Sequence, residues 1–300
     1  MSVPITRGSI SALLSPQYRQ VYIEAGEERA LEYPLIMHVL PMEWQDQTDQ
    51  QIAMLGTQPR KTEGGQFATD SIKIGGTVTY TSYPYGLASV ITHEAWRDDL
   101  YGALREIPAA LKRAANYRKE VEGWRRINEA YTTAGGFDND YLITTTHTRS
   151  GDGGTSSNRP AVDISFSITG IQAGIMSFET MVNERGLPQV MSPNMCLIPP
   201  QKKWIAREIL GSGGVPYKSD NEINAIIADD LTWMIGHYLT STTAWFLLNK
   251  QNHDINFLIR EDDIFDMFDD PLTMNAVCTS YQDIASSAHG SWRGIYGSSG

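Results

Sequence analysis

The clearest regularity in the chain lies between residues 104 and 127. Leu104, Ile107, Leu111, Ala114, Val121, Trp124 and Ile127 recur at steps close to three and four. That period predicts a helix with one apolar face and most of its basic residues on the others. Pro108 is tolerated only in a first turn, and Ala134-Gly135-Gly136 supplies a stop. The helix is therefore expected over about residues 108–131, a rod of about 36 Å. Before it, residues 72–91 carry Ile72, Ile74, Val78, Tyr80 and Tyr83, with Thr77, Thr79 and Thr81 on the side opposite Val78 and Tyr80. With Gly75-Gly76 among them, and Gly56, Pro59, Gly64 and Gly65 upstream, the pattern predicts a loop and a long two-stranded ribbon. Such a ribbon is marginal unless it lies on another surface.

Residues 1–40 show little compact patterning. Leu13, Leu14, Tyr18 and Tyr22 allow a short amphipathic helix, and Tyr33-Pro34 and Leu40-Pro41 punctuate the apolar stretch after it. The segment reads either as an arm packed on a neighbouring molecule or as an ordinary N-terminal strand and helix. In the second half, the Gly-, Ser- and Thr-rich residues 146–160 predict a loop. Strand-like alternation from Ile164 passes into a helix near 168–184. Residues 194–200 read as a short buried strand. A helix starts after Pro199-Pro200 and ends at Gly211, and 233–239 and 244–249 are short apolar strands. No internal repeat is evident. The fold class is mixed α and β.

Composition narrows the function. Three hundred residues with 41% apolar content suffice for a sizeable core, and no apolar run is long enough to span a bilayer. The N-terminus lacks the layout of a secretory signal. Two cysteines, Cys196 and Cys278, provide neither a disulfide framework nor a zinc cage, so both are expected as buried thiols. The net charge is −11, from 35 acidic and 24 basic residues. The basic cluster Lys112, Arg113, Arg118, Lys119, Arg125 and Arg126 is expected on a solvated or subunit-facing helix side, not on a nucleic-acid grip.

Catalytic patterns fail one by one. His93-Glu94 begins a zincin-like helix, but Arg97 stands where the second histidine belongs. There is no G-x-S-x-G, and the glycines at 151–154 and 211–214 complete no phosphate-binding motif. The acidic run 261–270 makes Asp262, Asp263 and Asp266 weak metal candidates, without the spacing or glycine of a calcium loop. A strand or turn with its acids facing solvent or a basic neighbour is the preferred reading. In an assembly, Arg60, Lys61 or Lys73 of an adjacent copy would be the partners of that run. The six histidines show no ligand spacing.

Five phrases occur in order: RGLP at 185–188, IPPQKKWIAREIL at 198–210, DNEIN at 220–224, HYLTSTTAWFL at 237–247 and WRGIYGS at 292–298. With residues 92–120 and the loop 146–158, they resemble the major head (capsid) subunit of tailed bacteriophages, in particular the Mu-like branch. The resemblance covers about residues 92–300. It implies the Hong Kong 97-type capsid fold, an α+β architecture with four parts. These are an N-terminal arm (1–42), an extended β-ribbon or E-loop (43–91), a peripheral domain with a long spine helix (92–160 and 246–300) and an axial domain (161–245).

The resemblance also implies a structural protein with no catalytic residues and no cofactor. It would assemble with itself into pentamers and hexamers of an icosahedral head enclosing double-stranded DNA, without specific DNA binding and without a membrane. A separate scaffold protein, a portal and a maturation protease would be partners, because the scaffolding extension of many relatives is absent. The location would be the virion shell, and the host cytoplasm during assembly. The expected subunit-interface residues are Tyr18, Tyr22, Arg60, Lys61, Lys73, Tyr80, Tyr83, Glu261, Asp262 and Asp263. An encapsulin-like cellular nanocompartment shell is the alternative with the same fold. A hydrolase or metal-dependent enzyme using residues 261–270 or the His147 loop is disfavoured for want of a nucleophile, base and orienting group.

Overall fold

The computed structural model describes residues 7–92, 94–95, 98, 104, 106–212, 214, 224–229, 231–270, 273 and 275–300, with the backbone alone for 7–15, 227 and 228. The first half contains α1 (Arg7–Glu27), α2 (Tyr33–Ile36), β1 (His38–Pro41), β2 (Asp46–Ala53), β3 (Lys73–Ile91) and α3 (Glu106–Asn128). Two short hairpins come next, β4 (Ala134–Gly135) with β5 (Asp140–Tyr141), and β6 (His147–Thr148) with β7 (Thr155–Ser156). The remainder comprises α4 (Ile168–Glu179), β8 (Met195–Ile198), α5 (Lys203–Gly211), β9 (Thr232–Ile235), β10 (Trp245–Leu248), β11 (Ile255–Asp269), β12 (Ala276–Ala285), β13 (Ala288–His289) and β14 (Ile295–Ser298).

Two sheets organise these elements. The larger runs β1-β11-β12-β3-β2, with β13 also on β11, and is antiparallel except for β1 against β11. The smaller runs β14-β10-β8-β9, with β8 and β9 parallel. Strands β8, β10 and β14 are buried at every position because the small sheet is covered on both faces. Side chains alternate across it. Met195, Leu197, Phe246, Leu248 and Ile295 enter one core, with Trp124 and Ile127 of α3 and Tyr33 and Ile36 of α2. Cys196, Ile198, Trp245, Leu247 and Tyr296 enter another, with Ile171 and Phe178 of α4 and Ala206 and Ile209 of α5. Both cysteines are free and buried, and burial raises their thiols to about 12 for Cys196 and about 11 for Cys278.

The long helix occupies Glu106–Asn128, with Pro108 in its first turn. It departs from a simple amphipathic rod. Lys119, Glu120, Glu122 and Arg126 are buried together with Leu111, Trp124 and Ile127, because α3 is packed between α1, α2 and the larger sheet. The expectation that its basic residues face solvent is therefore corrected at Lys119 and Arg126.

Two further expectations change. The N-terminal stretch forms a 21-residue helix that accommodates Pro16 and buries Tyr18, Tyr22 and Ala25 against this chain's own α3 and β11. Gly75-Gly76 lies inside the 19-residue strand β3, within the stretch read as ribbon. A Cβ at Gly76 would fall 1.8 Å from the Phe137 carbonyl oxygen, so the glycine serves a close backbone approach. Residues 164–167 form no strand. Ile164 bonds the Ser298 hydroxyl through its amide and the Trp245 indole through its carbonyl, and Ser167 caps α4 by accepting from the Gly170 amide at 3.2 Å.

Trp245 is fully buried, lies edge-on to Phe166 and donates to Ile164 at 2.9 Å. Replacing it with alanine should lower stability by about 3–5 kcal/mol. Denaturant unfolding checks this, and a loss below about 1 kcal/mol would contradict the assigned core.

Candidate functional site

The acidic run lies on β11, where the register to β12 shifts between Ile259 and Ile264. Phe265 and Met267 point inward beneath α3, and Asp263, two residues before Phe265, is on the same side. Two turns apart on α3, Lys112 and Lys119 meet it. Lys112 donates to Asp263, and Lys119 donates to both Asp262 and Asp263. Only 2% of the Asp263 side chain is exposed, and 5% of Lys119. Tyr22 of α1 closes the cluster by stacking on Phe265 at 4.9 Å, bonding Ser280 at 2.8 Å and lying under the Lys112 ammonium at 5.1 Å. Burial pushes the Asp263 carboxyl up, but the two lysines outweigh burial and hold it well below the usual carboxylate range.

This arrangement corrects several site expectations. Tyr18, Tyr22 and Asp263 are committed to internal packing and are not free for a second copy. Asp262 is exposed but paired to Lys119, and Asp266 projects from the opposite sheet face, so the three aspartates do not converge on a cation. Among the described residues no group of three or more His, Cys, Asp or Glu could hold a metal ion. His147 is fully buried. Its ring stacks on Trp292 at 4.4 Å, and its nitrogens bond Asp138 at 2.6 Å and Asn158 at 3.1 Å. It therefore pins a loop and faces no substrate. His93 and Arg97, the two ends of the zincin-like pattern, lie outside the described residues.

The ribbon residues divide differently. Tyr80 is buried and accepts from Asn256 at 3.2 Å, and burial raises its phenol to about 12. Lys73 donates to the Gly151 carbonyl at 2.6 Å. Arg60, Lys61 and Tyr83 are exposed, with the Lys61 ammonium 4.3 Å above the Phe67 ring. Around them the ribbon displays Ile52 opposite Ile74, and Met54, Leu55, Phe67 and Ile72, all exposed. A second exposed surface lies on the outer face of β11, β12 and β3. There Phe268, Val277 and Val90 form one cross-strand row and Ile264 and Tyr281 another, with Asp266 between them. Glu261 is exposed on the same strand. The sequence reading missed the Lys112–Lys119 pair, although positions seven apart share a helix face.

Exposed apolar side chains thus mark the ribbon and the outer sheet face. The family model described as phage capsid protein matches residues 76–296, so the chain belongs to the phage capsid protein family. It is a structural, major capsid component of a bacteriophage virion. Its fold is similar to the capsid structure of cyanophage P-SCSP1u, at TM-score 0.61 and 12% identity, covering 90% of this chain and 88% of that one. It is also similar to the mature capsid of bacteriophage PhiM1, at 0.58 and 10%, covering 90% and 86%. A third similar structure is a virus-like particle from Pyrococcus furiosus, at 0.57 and 8%, covering 94% and 98%. A sequence comparison with curated proteins finds no match. No helix among the described residues is long and apolar enough to cross a membrane.

Asp263→Asn removes the carboxylate but leaves two inward-facing ammonium groups, and should cost about 3 kcal/mol at neutral pH. Because the native carboxyl is depressed, its contribution is complete above the ordinary carboxylate value of about 3.9 and is lost as pH falls through the native value. The wild-type advantage should therefore persist at pH 5 and shrink in stronger acid. Urea midpoints of both proteins across that range check it, and equal midpoints at pH 7 would contradict it.

Proposed function

We propose that the chain is a Hong Kong 97-type major head subunit of the Mu-like branch, which closes into an icosahedral shell of pentamers and hexamers around double-stranded DNA. The observation that carries this reading is the exposed apolar ribbon. Ile52, Met54, Leu55, Phe67, Ile72 and Ile74 leave much of their surface uncovered, and another copy would bury it. A β-ribbon at 43–91, a spine helix at α3, a peripheral part at 92–160 and 246–300 and an axial part at 161–245 suit the observed element order. Residues 1–42 take the place of the arm, attached here through α1. A separate scaffold, a portal and a maturation protease belong to the same reading, with assembly in the host cytoplasm.

The ribbon of one copy would lie on the outer face of β11, β12 and β3 of the next. Arg60 and Lys61 would then approach Glu261 and Asp266, with Phe67 and Leu55 over Phe268 and Ile264. The acid partners are revised from the run as a whole, because Asp262 and Asp263 already hold Lys112 and Lys119. Repeated head-to-tail contacts of this kind generate a closed shell when the rotation between copies closes.

Light scattering and negative-stain microscopy on the protein, made with and without its neighbouring phage genes, test the reading. Closed particles, or rings of five and six, are expected, whereas a 33.4 kDa monomer in both cases would overturn it. An encapsulin-like shell would instead carry a packaged enzyme. Arg60→Glu with Lys61→Glu should block particle formation, and adding Glu261→Lys and Asp266→Lys should restore part of it. Normal particles from the first double variant would overturn the pairing.

A further inference from the structure

The RGLP phrase at 185–188 has a definite place in the fold. Asn183 organises a tight turn: its side-chain oxygen accepts from the Arg185 amide at 2.9 Å and the Leu187 amide at 3.0 Å. Gly186 completes the turn in the left-handed region at φ +74°. The turn projects Glu184 and Arg185 toward the end of the β2–β3 pairing, where the loop between the two strands begins. Glu184 accepts from Gln51 of β2 at 2.8 Å, from the Ser150 amide at 2.9 Å and from Arg293. Arg293 also donates to the Val182 carbonyl at 2.7 Å, which ties the turn to the WRGIYGS segment.

Arg185 reaches further and spans the mouth of the ribbon. Its Nε donates to the Met54 carbonyl at 2.7 Å, just after β2, and its Nη2 donates to the Ser71 carbonyl, just before β3. Nη2 also lies 3.4 Å from Asp70, whose carboxylate accepts from the Gly56 amide across the ribbon at 2.8 Å. Only 11% of the Arg185 side chain is exposed. A planar guanidinium can hold two carbonyls at once in a fixed geometry, which a lysine ammonium on its flexible stem does less well. The ribbon is thus tied to the body up to Gly56 and Asp70, leaving residues 57–69 beyond the tie.

We propose that Arg185 is a positioning residue for assembly: by closing the ribbon mouth, it fixes the direction in which residues 57–69 are presented to a second copy. This rests on the reading of the ribbon as a subunit contact. The clamp shares no residue with the Lys112–Asp263 cluster. Glu184 anchors the clamp to the body, and Asp70 braces the two sides of the mouth.

Hydrogen exchange on the unassembled full chain, followed by particle imaging, tests the clamp in Arg185→Ala, Arg185→Lys and the milder, partly exposed Asp70→Ala. In Arg185→Ala, amides at 54–56 and 70–73 should exchange roughly tenfold faster than in the wild type, with α3 and β10 unchanged. Particles should become irregular, with Arg185→Lys intermediate and Asp70→Ala showing a smaller change of the same sign. Unchanged exchange in both Arg185 variants would overturn the clamp. Faster exchange with uniform wild-type particles would overturn its role in assembly. Neither failure touches the ribbon reading, which the Arg60 and Lys61 reversal tests separately. If Arg185→Ala does not fold, Asp70→Ala decides the same question.

Discussion

Burial of a charged helix is the constraint on which the rest of this subunit depends. Helix α3 carries Lys119, Glu120, Glu122 and Arg126, each no more than 5% exposed, so each must be met by a specific group. Lys119 is met by Asp262 and Asp263 of β11. Glu120 accepts from the amides of Glu32 and Tyr33 and from the Trp124 indole at 3.0 Å, which fixes the segment entering α2. Burial raises the Glu120 carboxyl, and those donors oppose the rise. Glu122 takes Arg118 and Ser286, while Arg126 donates to Thr133 at 2.9 Å, its guanidinium lowered to about 10 by burial. An apolar helix could slide or rotate in its seat at modest cost. This one is held in register by the groups that meet Lys119, Glu120 and Glu122, while the Arg126 guanidinium bonds through Nη1 and leaves Nε and Nη2 without a hydrogen-bond partner among the described residues, and three separate parts of the chain are positioned by it.

The two sheets relate to that helix unequally. The small sheet is double-sided and apolar, so its strands need only alternate correctly to fill two cores at once. The large sheet is covered on its inner face by α3 and α1, and on its outer face keeps Ile264, Phe268, Tyr281 and Val90 uncovered. Internal geometry is thus fixed by charge and packing, while the surfaces suited to other copies are small apolar patches edged by charge. At about 25 cal/mol per Å² such patches give useful but modest attraction once ordering is subtracted. Weak, repeated contacts between rigid bodies allow a misplaced subunit to leave.

The elements legible in the sequence were those whose signal is local. The three-to-four spacing of Leu111, Trp124 and Ile127, the Pro199-Pro200 opening of α5 and the continuous runs of β8 and β10 all lie within one element. The failures needed a partner far along the chain. Nothing near Tyr22 signals Phe265 or Ser280, so the sequence leaves α1 equally readable as an arm or as an ordinary N-terminal element. Nothing near Gly75-Gly76 signals the Phe137 carbonyl that lies against it. Taken alone, the acids at 262–263 read as facing solvent or a basic neighbour, and the bases at 112 and 119 as lying on a solvated or subunit-facing helix side. Yet alternation from Phe265 and Met267 put Asp263 on the buried side, and the seven-residue spacing put both lysines on one helix face. The pairing was recoverable, whereas the Arg185 contacts to backbone carbonyls left no trace in side-chain pattern.

Leverage explains why a ribbon root should be held so firmly. Six extended residues, about half of the 57–69 loop beyond the tie, reach about 20 Å at about 3.4 Å per residue, so a rotation of about 10° at the tie would displace the tip by about 3.5 Å. That exceeds the tolerance of any apolar contact, whose attraction fades within about an ångström of optimal separation. A long, thin element can therefore specify a neighbour's position only if its base is stiffer than its tip. Here the base is stiffened in two ways. The backbone at Gly76 is pressed against Phe137, the Gly151 carbonyl accepts from Lys73, and the Glu184 and Arg185 side chains bond Gln51 and the Met54 carbonyl. The distal residues, which need to adapt to a partner, carry no comparable ties to the body among the described contacts. Stiffness at the root and freedom at the tip are what a surface needs if it is to find its partner slowly and hold it at one angle.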